Sequence, residues 1–425
     1  MKARFFFVMF LLSGLISYVA ETQAFEQKYH KNSYGSSQIF LPYIKAPFSL
    51  SNVGVCSGGP RVIALLIDPL LLEDTHDNIR QYAQDLCADG FTVIERESTF
   101  ADPGAVRGYL SQLHSQTDSQ LTGALMIGDI PYAYQWIRFE FTNPDIPPLE
   151  EEVISFQYYA DLDGYFGVSP NYISPGGHDF SFDIHSGEMD WEIWIGVLPM
   201  YEDDYSLTTE AINTYFLKNH AYRNGSYDIP RAFLQITEHF SASTLEEHNR
   251  ILGFLTDGVA AWTPFSNSSN AHFFFDSAPV GLTVMQGYSN MSAGIADFTV
   301  ADTHGSGQID DYWVETNPVN TVFFWSNGCA VGNLNKASPF LAGILYSSTS
   351  KVLTAYGTTN ESGGMGFNEN GFYGHNIATS LSNGATFGQA LLDHVNVPLA
   401  EPPQNRELYF ALPIVLGDPS LRLRQ

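Results

Sequence analysis

Val62-Ile63-Ala64-Leu65-Leu66-Ile67 is an unbroken apolar run with a helix-like stretch behind it. It reads as a strand buried on both faces. The next stretch predicts a helix from about Asp74, with Ile79, Tyr82, Ala83 and Leu86 on one stripe. Gly90 stands where a helix is stopped by a residue of positive φ. Phe91 to Glu95 predicts a second strand. Asp102-Pro103 opens a second helix carrying Val106, Tyr109, Leu110 and Leu113, and Gly123 to Ile127 a third strand. Strand and helix alternating in this way imply an α/β fold: a mainly parallel sheet with helices on both faces.

The same pattern returns downstream. Trp191 to Leu198 reads as a strand and Leu207 to Tyr222 as a helix, with Leu207, Ala211, Tyr215 and Leu217 partly in register. Ala232 to Thr237 is an apolar strand followed by Glu238. Lys336 to Ser347 predicts a helix with Phe340, Leu341 and Ile344 inward, and Lys351 to Tyr356 a strand. Helices near Phe372 to Leu381 and Thr386 to His394 precede a closing strand at Leu416 to Leu423. Pro131 to Met189 breaks the alternation, being rich in Pro, Gly, Tyr and acidic residues and poor in helix signals.

Two strand ends carry groups capable of chemistry. Val322-Phe323-Phe324-Trp325 is bounded by Asn320 and by Ser326-Asn327-Gly328, and Cys329 follows with Gly332 close behind. Ile295 to Ala301 is strand-like and runs into Asp302-Thr303-His304-Gly305-Ser306-Gly307. Ligand crevices of open α/β sheets lie outside the carboxyl ends of strands. A thiol attacks as thiolate, which a neighbouring imidazole makes accessible near neutral pH. The plain alternatives are a cysteine buried as a small hydrophobe and a histidine that is only a polar loop residue.

His304-Gly305-Ser306, with Cys329-Ala330-Val331-Gly332-Asn333-Leu334, resembles the active site of the gingipain-like cysteine peptidases of the caspase/legumain superfamily. Further blocks occur in family order. Arg61 to Leu66 resembles the family's first strand, and Ala124 to Pro131 its Gly-Asp turn. Trp194-Ile195-Gly196-Val197-Leu198-Pro199 resembles its Val-Gly-Arg-Leu-Pro segment with Val197 in place of Arg. Leu416-Gly417-Asp418-Pro419-Ser420-Leu421 resembles its closing motif.

The resemblance implies a caspase-like fold of two α/β subdomains, here 61–225 and 226–425, the second catalytic. It implies Cys329 as nucleophile, His304 as the proton-transfer partner, and the N–H groups of Gly305 and Cys329 as oxyanion donors. Glu238 becomes the acid that orients His304, although a solvated glutamate opening a loop is an equal reading. In Arg-specific members a loop after this strand supplies an acidic residue. Phe240 to Thr244 is short, which argues against arginine specificity here. Thr358-Thr359-Asn360-Glu361-Ser362-Gly363-Gly364 lacks the aromatic that often walls the primary pocket, leaving Glu361 as its one acid.

Composition narrows the remaining classes. The 425 residues are 44% hydrophobic and 15% charged, with a formal charge of −27. Such a surface repels nucleic acid and anionic membrane. Lys2 and Arg4 followed by the apolar Phe5 to Val19 and Thr22-Gln23-Ala24 read as a secretory signal over residues 1–24, too short for a span. Residues 25–60 read as an arm or pro-segment, or as an edge strand plus loop. The expected product is secreted or periplasmic, monomeric, and acts on protein or peptide.

Export makes a Cys56–Cys87 disulfide the natural pairing of three cysteines, leaving Cys329 free. No cofactor is required. Asp161-Leu162-Asp163-Gly164 is a fragment of a calcium loop, so structural calcium at Asp161 and Asp163 is an option, although the third acid and terminal Glu of an EF-hand are missing. No Gly-x-Ser-x-Gly elbow follows a strand and no His-Glu-x-x-His occurs, against serine and metal hydrolysis. A catalytically inactive binding protein on the same fold is the competing reading.

Overall fold

The structure, a computed structural model, describes residues 56–57, 59–118, 120–139, 149–201, 204–227, 232–237, 259–264, 284–288, 322–326, 332–335, 340–359, 374–396 and 413–423. These fall in one compact unit, Ser49–Gln425.

The first strands alternate with helices as the pattern predicts. They are β1 (Cys56–Ser57), β2 (Arg61–Ile67), β3 (Phe91–Glu97) and β4 (Leu121–Ile127), with helices α1 (Pro69–Ala88) and α2 (Pro103–Gln116) between them. Helix α1 starts about a turn and a half before the expected Asp74. The reason is Asp68, whose Oδ1 accepts the Leu70 N–H at 2.9 Å while Pro69 takes a first-turn position. Ile79, Tyr82, Ala83 and Leu86 are buried as expected, and Gly90 has φ 87°. Asp102 caps α2 by accepting from Ala105 N–H at 2.8 Å.

Residues 134–186 form small sheets where sequence showed only turn chemistry. β5 (Tyr134–Phe139), β6 (Leu149–Ile154) and β8 (Ser181–Phe182) make a three-stranded sheet, and β7 (Tyr165–Gly167) pairs with β9 (Ile184–Ser186). The short helix α3 (Gln157–Ala160) links them. The main sheet resumes with β10 (Trp194–Leu198), followed by α4 (Tyr205–Arg223). The stripe expected on α4 is partly wrong: Leu207 and Leu217 are 41% and 60% exposed. The inward face is Ala211, Ile212, Tyr215, Phe216 and Tyr222, with the polar Lys218 and Asn219.

The remaining strands are β11 (Ala232–Thr237), β12 (Val259–Pro264), β13 (Val284–Tyr288), β14 (Phe323–Ser326), β15 (Thr354–Thr358) and β16 (Pro413–Gly417). The helices are α5 (Phe340–Tyr346), α6 (Gly374–Ser382) and α7 (Phe387–Val395). Among the described residues the main sheet has eleven strands, in the order β1-β3-β2-β4-β10-β16-β15-β14-β13-β11-β12. All neighbours are parallel except the edge pair β1/β3 and the pair β15/β16. That one internal reversal makes β2, β3, β4, β10 and β16 run opposite to β11–β15. The carboxyl ends of the two sets therefore open on opposite edges.

Packing follows from the apolar runs. Ile63 to Ile67 and Ala124 to Ile127 are fully buried, as expected of strands covered on both faces. Helix α4 contacts both α1 and α5, while α6 contacts α7 and α7 lies on β10. Trp194 of β10 fits only because Gly123 and Gly388 lack a Cβ: either would strike its ring.

The closing motif is an anchor. Arg223 of α4 is bonded to Asp418 at 2.5 Å and to Ser420 Oγ at 2.6 Å, and also pairs with Asp89. Asn219 Nδ2 donates to Asp418 at 2.8 Å. Burial alone would push the Asp418 carboxyl up. The Arg223 charge, with donors from Ser420 and Asn219, outweighs it and holds the group below the usual carboxylate range. A second anchor is Lys218, whose Nζ donates to the carbonyls of Leu345, Ser347 and Ser350 at 2.8, 2.9 and 3.1 Å. Burial pushes its pKa down to about 7.

Candidate active site and cation cluster

Two of the strands expected to end in catalytic groups, β11 and β14, flank β13. β13 pairs with both β11 and β14, in a register that sets Ile236, Gly287 and Ser326 level. The carboxyl ends of β11 and β14 are thus two strand spacings, about 10 Å, apart. Glu238 follows β11 by one residue and Cys329 follows β14 by three. Glu238, His304, Gly305 and Cys329 themselves lie outside the described residues, as does the strand expected at Ile295 to Ala301. β13, at Val284–Tyr288, had not been foreseen.

The turn beyond Cys329 is described. Gly332 is buried, and its N–H donates to Thr358 O at 2.9 Å. A Cβ there would strike the Ile414 side chain and crowd Thr358 O and Leu341. The glycine of the Cys-x-x-Gly pattern is therefore needed for close approach to the ends of β15 and β16. Behind it, Leu341 and Ile344 of α5 are fully buried. The Asn335 N–H bonds Asn333 Oδ1 at 3.0 Å, closing the turn. Thr359, 2% exposed, donates from Oγ1 to Ile154 O at 2.9 Å. Glu361 lies outside the described residues.

The other family blocks meet inside the sheet. Val197 of β10 is level with Leu416 of β16, and a Cβ on Gly196 would collide with Pro419 and Gly417 O. Val197, standing where the family has Arg, is 1% exposed. Cys87 is disulfide-bonded. Its helix, α1, lies against β1, the strand that holds Cys56.

A second constellation lies in the region of small sheets. Asp161 and Asp163 come together, joined by Glu192, with one oxygen from each within 4.8 Å of the others. Arg107 shapes the turn, donating to Asp161 O at 3.0 Å and Gly164 O at 2.8 Å while lying over the Phe166 ring. Asp161 is fully buried. It accepts the Gly164 N–H at 2.5 Å and bonds His185 Nε2 at 2.7 Å. From His185 Nδ1 a buried polar chain runs at 3.0 Å to Gln157 Nε2 and on to Gln135, which Ser155 also reaches. Glu192 accepts the Leu162 N–H at 2.5 Å. Burial, opposed by that bond, pushes its carboxyl up to about 7.

Sequence reasoning missed Glu192. Its signal was the acidic Asp190-Trp191-Glu192 run ahead of β10, which local spacing could not join to a turn 30 residues away. Oxygens bound to one calcium at 2.3–2.6 Å can be at most about 5 Å apart, so this spacing fits a hard cation.

The fold is gingipain-like. The structure resembles the crystal structure of gingipain R, an Arg-specific cysteine proteinase, with a TM-score of 0.55 and 13% identity, over 86% of this chain and 78% of that one. It resembles the complex of Porphyromonas gingivalis RgpB pro- and mature domains with a TM-score of 0.55 and 15% identity, over 86% and 80%. A structure described only as a protease gives a TM-score of 0.53 and 9% identity, over 87% and 80%. At such identities the likeness establishes the fold. No family model matches the sequence, and no curated protein matches it.

Proposed function

We propose that the chain is an exported cysteine endopeptidase that cleaves peptide bonds through a thioester. The observation that carries this reading is the gingipain-like fold, in which β11 and β14 run in register with Glu238 and Cys329 just beyond their carboxyl ends. The Cys329 thiolate attacks the scissile carbonyl carbon. The tetrahedral oxyanion accepts from the N–H groups of Gly305 and Cys329, donors of a kind typically worth about 3–4 kcal/mol of barrier. The C–N bond breaks as His304 gives its proton to the leaving amine. Water, deprotonated by His304, then hydrolyses the thioester. Glu238 orients His304 and favours its charged form.

Export rests on the charged start and apolar Phe5 to Val19. No helix among the described residues is long and apolar enough to cross a membrane. The substrate is protein or peptide, the chain works as a monomer, and nucleic acid is not a partner. Arginine specificity does not carry over, because the acid-bearing loop after β11 is short and Glu361 is alone in its loop. We assign a structural calcium, not a catalytic one, to Asp161, Asp163 and Glu192. The functional test is hydrolysis of a mixed peptide library by the mature protein and by Cys329→Ala. Loss of all cleavage in the variant is expected, and full retention would refute the assignment.

A second reading is an inactive binding protein on this fold. Val197 favours it: the buried valine removes the charge that the family carries in that segment. Under this reading even the unmodified protein cleaves nothing in the library.

A further inference from the structure

The three-stranded sheet holds the turn beyond Cys329 directly at one end and by way of β15 at the other. At one end, the Tyr134 hydroxyl of β5 donates to Asn335 Oδ1 at 2.8 Å. The Tyr134 ring lies flat on His178, with 3.5 Å between centroids and 6° between planes, so its hydroxyl is aimed by a ring held in place. The backbone beneath is fixed as well: Ser155 N–H donates to Ala133 O at 2.9 Å, and the Tyr159 hydroxyl to Pro131 O at 2.6 Å. At the other end, Ile154 O holds Thr359, and Thr358 O accepts the Gly332 N–H. Gly332 to Asn335 is thus clamped at its first and last residues, and it begins three residues after Cys329. The proposed chemistry uses none of these groups.

We propose that Tyr134 is a positioning residue: through Asn335 it fixes the turn Gly332 to Asn335, and through that turn it governs the reactivity of Cys329, three residues before it in sequence. The proposal rests on the reading of Cys329 as nucleophile. Small misplacements of a reacting group cost rate far out of proportion to the stability they cost. Tyr134→Phe deletes the hydroxyl and keeps the stacked ring. Asn335→Ala deletes the acceptor at an exposed position, where folding is not at stake.

The experiment is alkylation of the full mature chain by iodoacetamide across pH, with the rate read at the Cys329 peptide by mass spectrometry, alongside thermal melting. Tyr134→Phe should slow alkylation about tenfold at pH 7. It should also move the pH midpoint up toward the ordinary thiol value near 8.5 and leave the melting temperature nearly unchanged. Asn335→Ala should do the same, and the double variant should be no slower than either, because the two act as one unit. An unchanged rate and midpoint in Tyr134→Phe, or effects that multiply in the double variant, overturns the inference while leaving an activated Cys329 standing. A Cys329 that titrates near 8.5 in the unmodified protein overturns the peptidase reading, and this inference with it.

Discussion

The two sets of parallel strands end in different ways on opposite edges of one sheet. At the ends of β2, β4 and β10 the polar groups join elements. Asp68 is 3% exposed and caps α1, and its second oxygen accepts the Asp129 N–H at 3.3 Å. Gly128, at φ 88°, donates to Leu198 O, and Pro199 O takes the Tyr346 hydroxyl. At the other edge, β11 is followed by a glutamate, β14 by a cysteine, and the turn after that cysteine is braced from an added sheet. The same architecture closes turns at one edge and, under the proposed reading, presents an acid and a thiol at the other. The first edge is a built-in control for the second.

The sharpest break between the edges should come from their carboxylates. Glu238→Ala is expected to lower kcat/KM about 10⁴-fold, as for other acids that orient a catalytic histidine. Asp68→Ala should leave kcat/KM unchanged and cost about 1 kcal/mol as a lost helix cap, read by denaturant unfolding. Equal effects on activity would erase the distinction.

The closing anchor should behave as structure alone. Asp418→Ala leaves Arg223 buried without its main partner and should cost about 3–5 kcal/mol, while the specific activity of the folded fraction stays the same.

Lys218 gives a pH signature. Its proton leaves near pH 7 in the folded chain and near 10.5 in the unfolded one. Between those values the unfolded state binds more protons, so stability rises with pH over this window, and the full cost of burying the charge is felt below it. Lys218→Met should remove this rise, of a few kcal/mol, seen as a flatter difference in unfolding free energy between pH 7 and 10.

A smaller effect than at either anchor is expected at the cation cluster. Calcium at 100 times its dissociation constant should stabilise the chain by about 2.7 kcal/mol, with no increase in kcat. Asp161→Asn should abolish that increment in a melting experiment.

Much of the fold was legible because apolar runs and turn residues agree. Val62 to Ile67, Ala232 to Thr237 and the Asp102 cap all form as read. The misses have local causes. Helix α1 begins early because Asp68-Pro69 is a stronger start signal than Asp74. Leu207 and Leu217 face outward because Lys218 and Asn219 take inward positions, where carbonyls and Asp418 satisfy them, and no apolar period reveals that. The small sheets at 134–186 are held by side-chain contacts such as Tyr172 and Ser174 on Glu152, which single-sequence patterns do not encode. At the candidate site Gly332 was legible as the glycine of the Cys-x-x-Gly pattern, and the structure shows the close approach that requires it. The brace from Tyr134 was not, since it joins residues 201 apart.

The central claim is that Cys329 is a nucleophile activated by His304. The most direct test treats the mature protein with peptidyl acyloxymethyl ketones that differ at the first residue, then locates adducts by mass spectrometry, with His304→Ala as control. The account predicts an adduct on Cys329 that requires His304 and depends on the peptide side chain. An adduct independent of His304, or none even after proteolytic removal of residues 25–60, would contradict it.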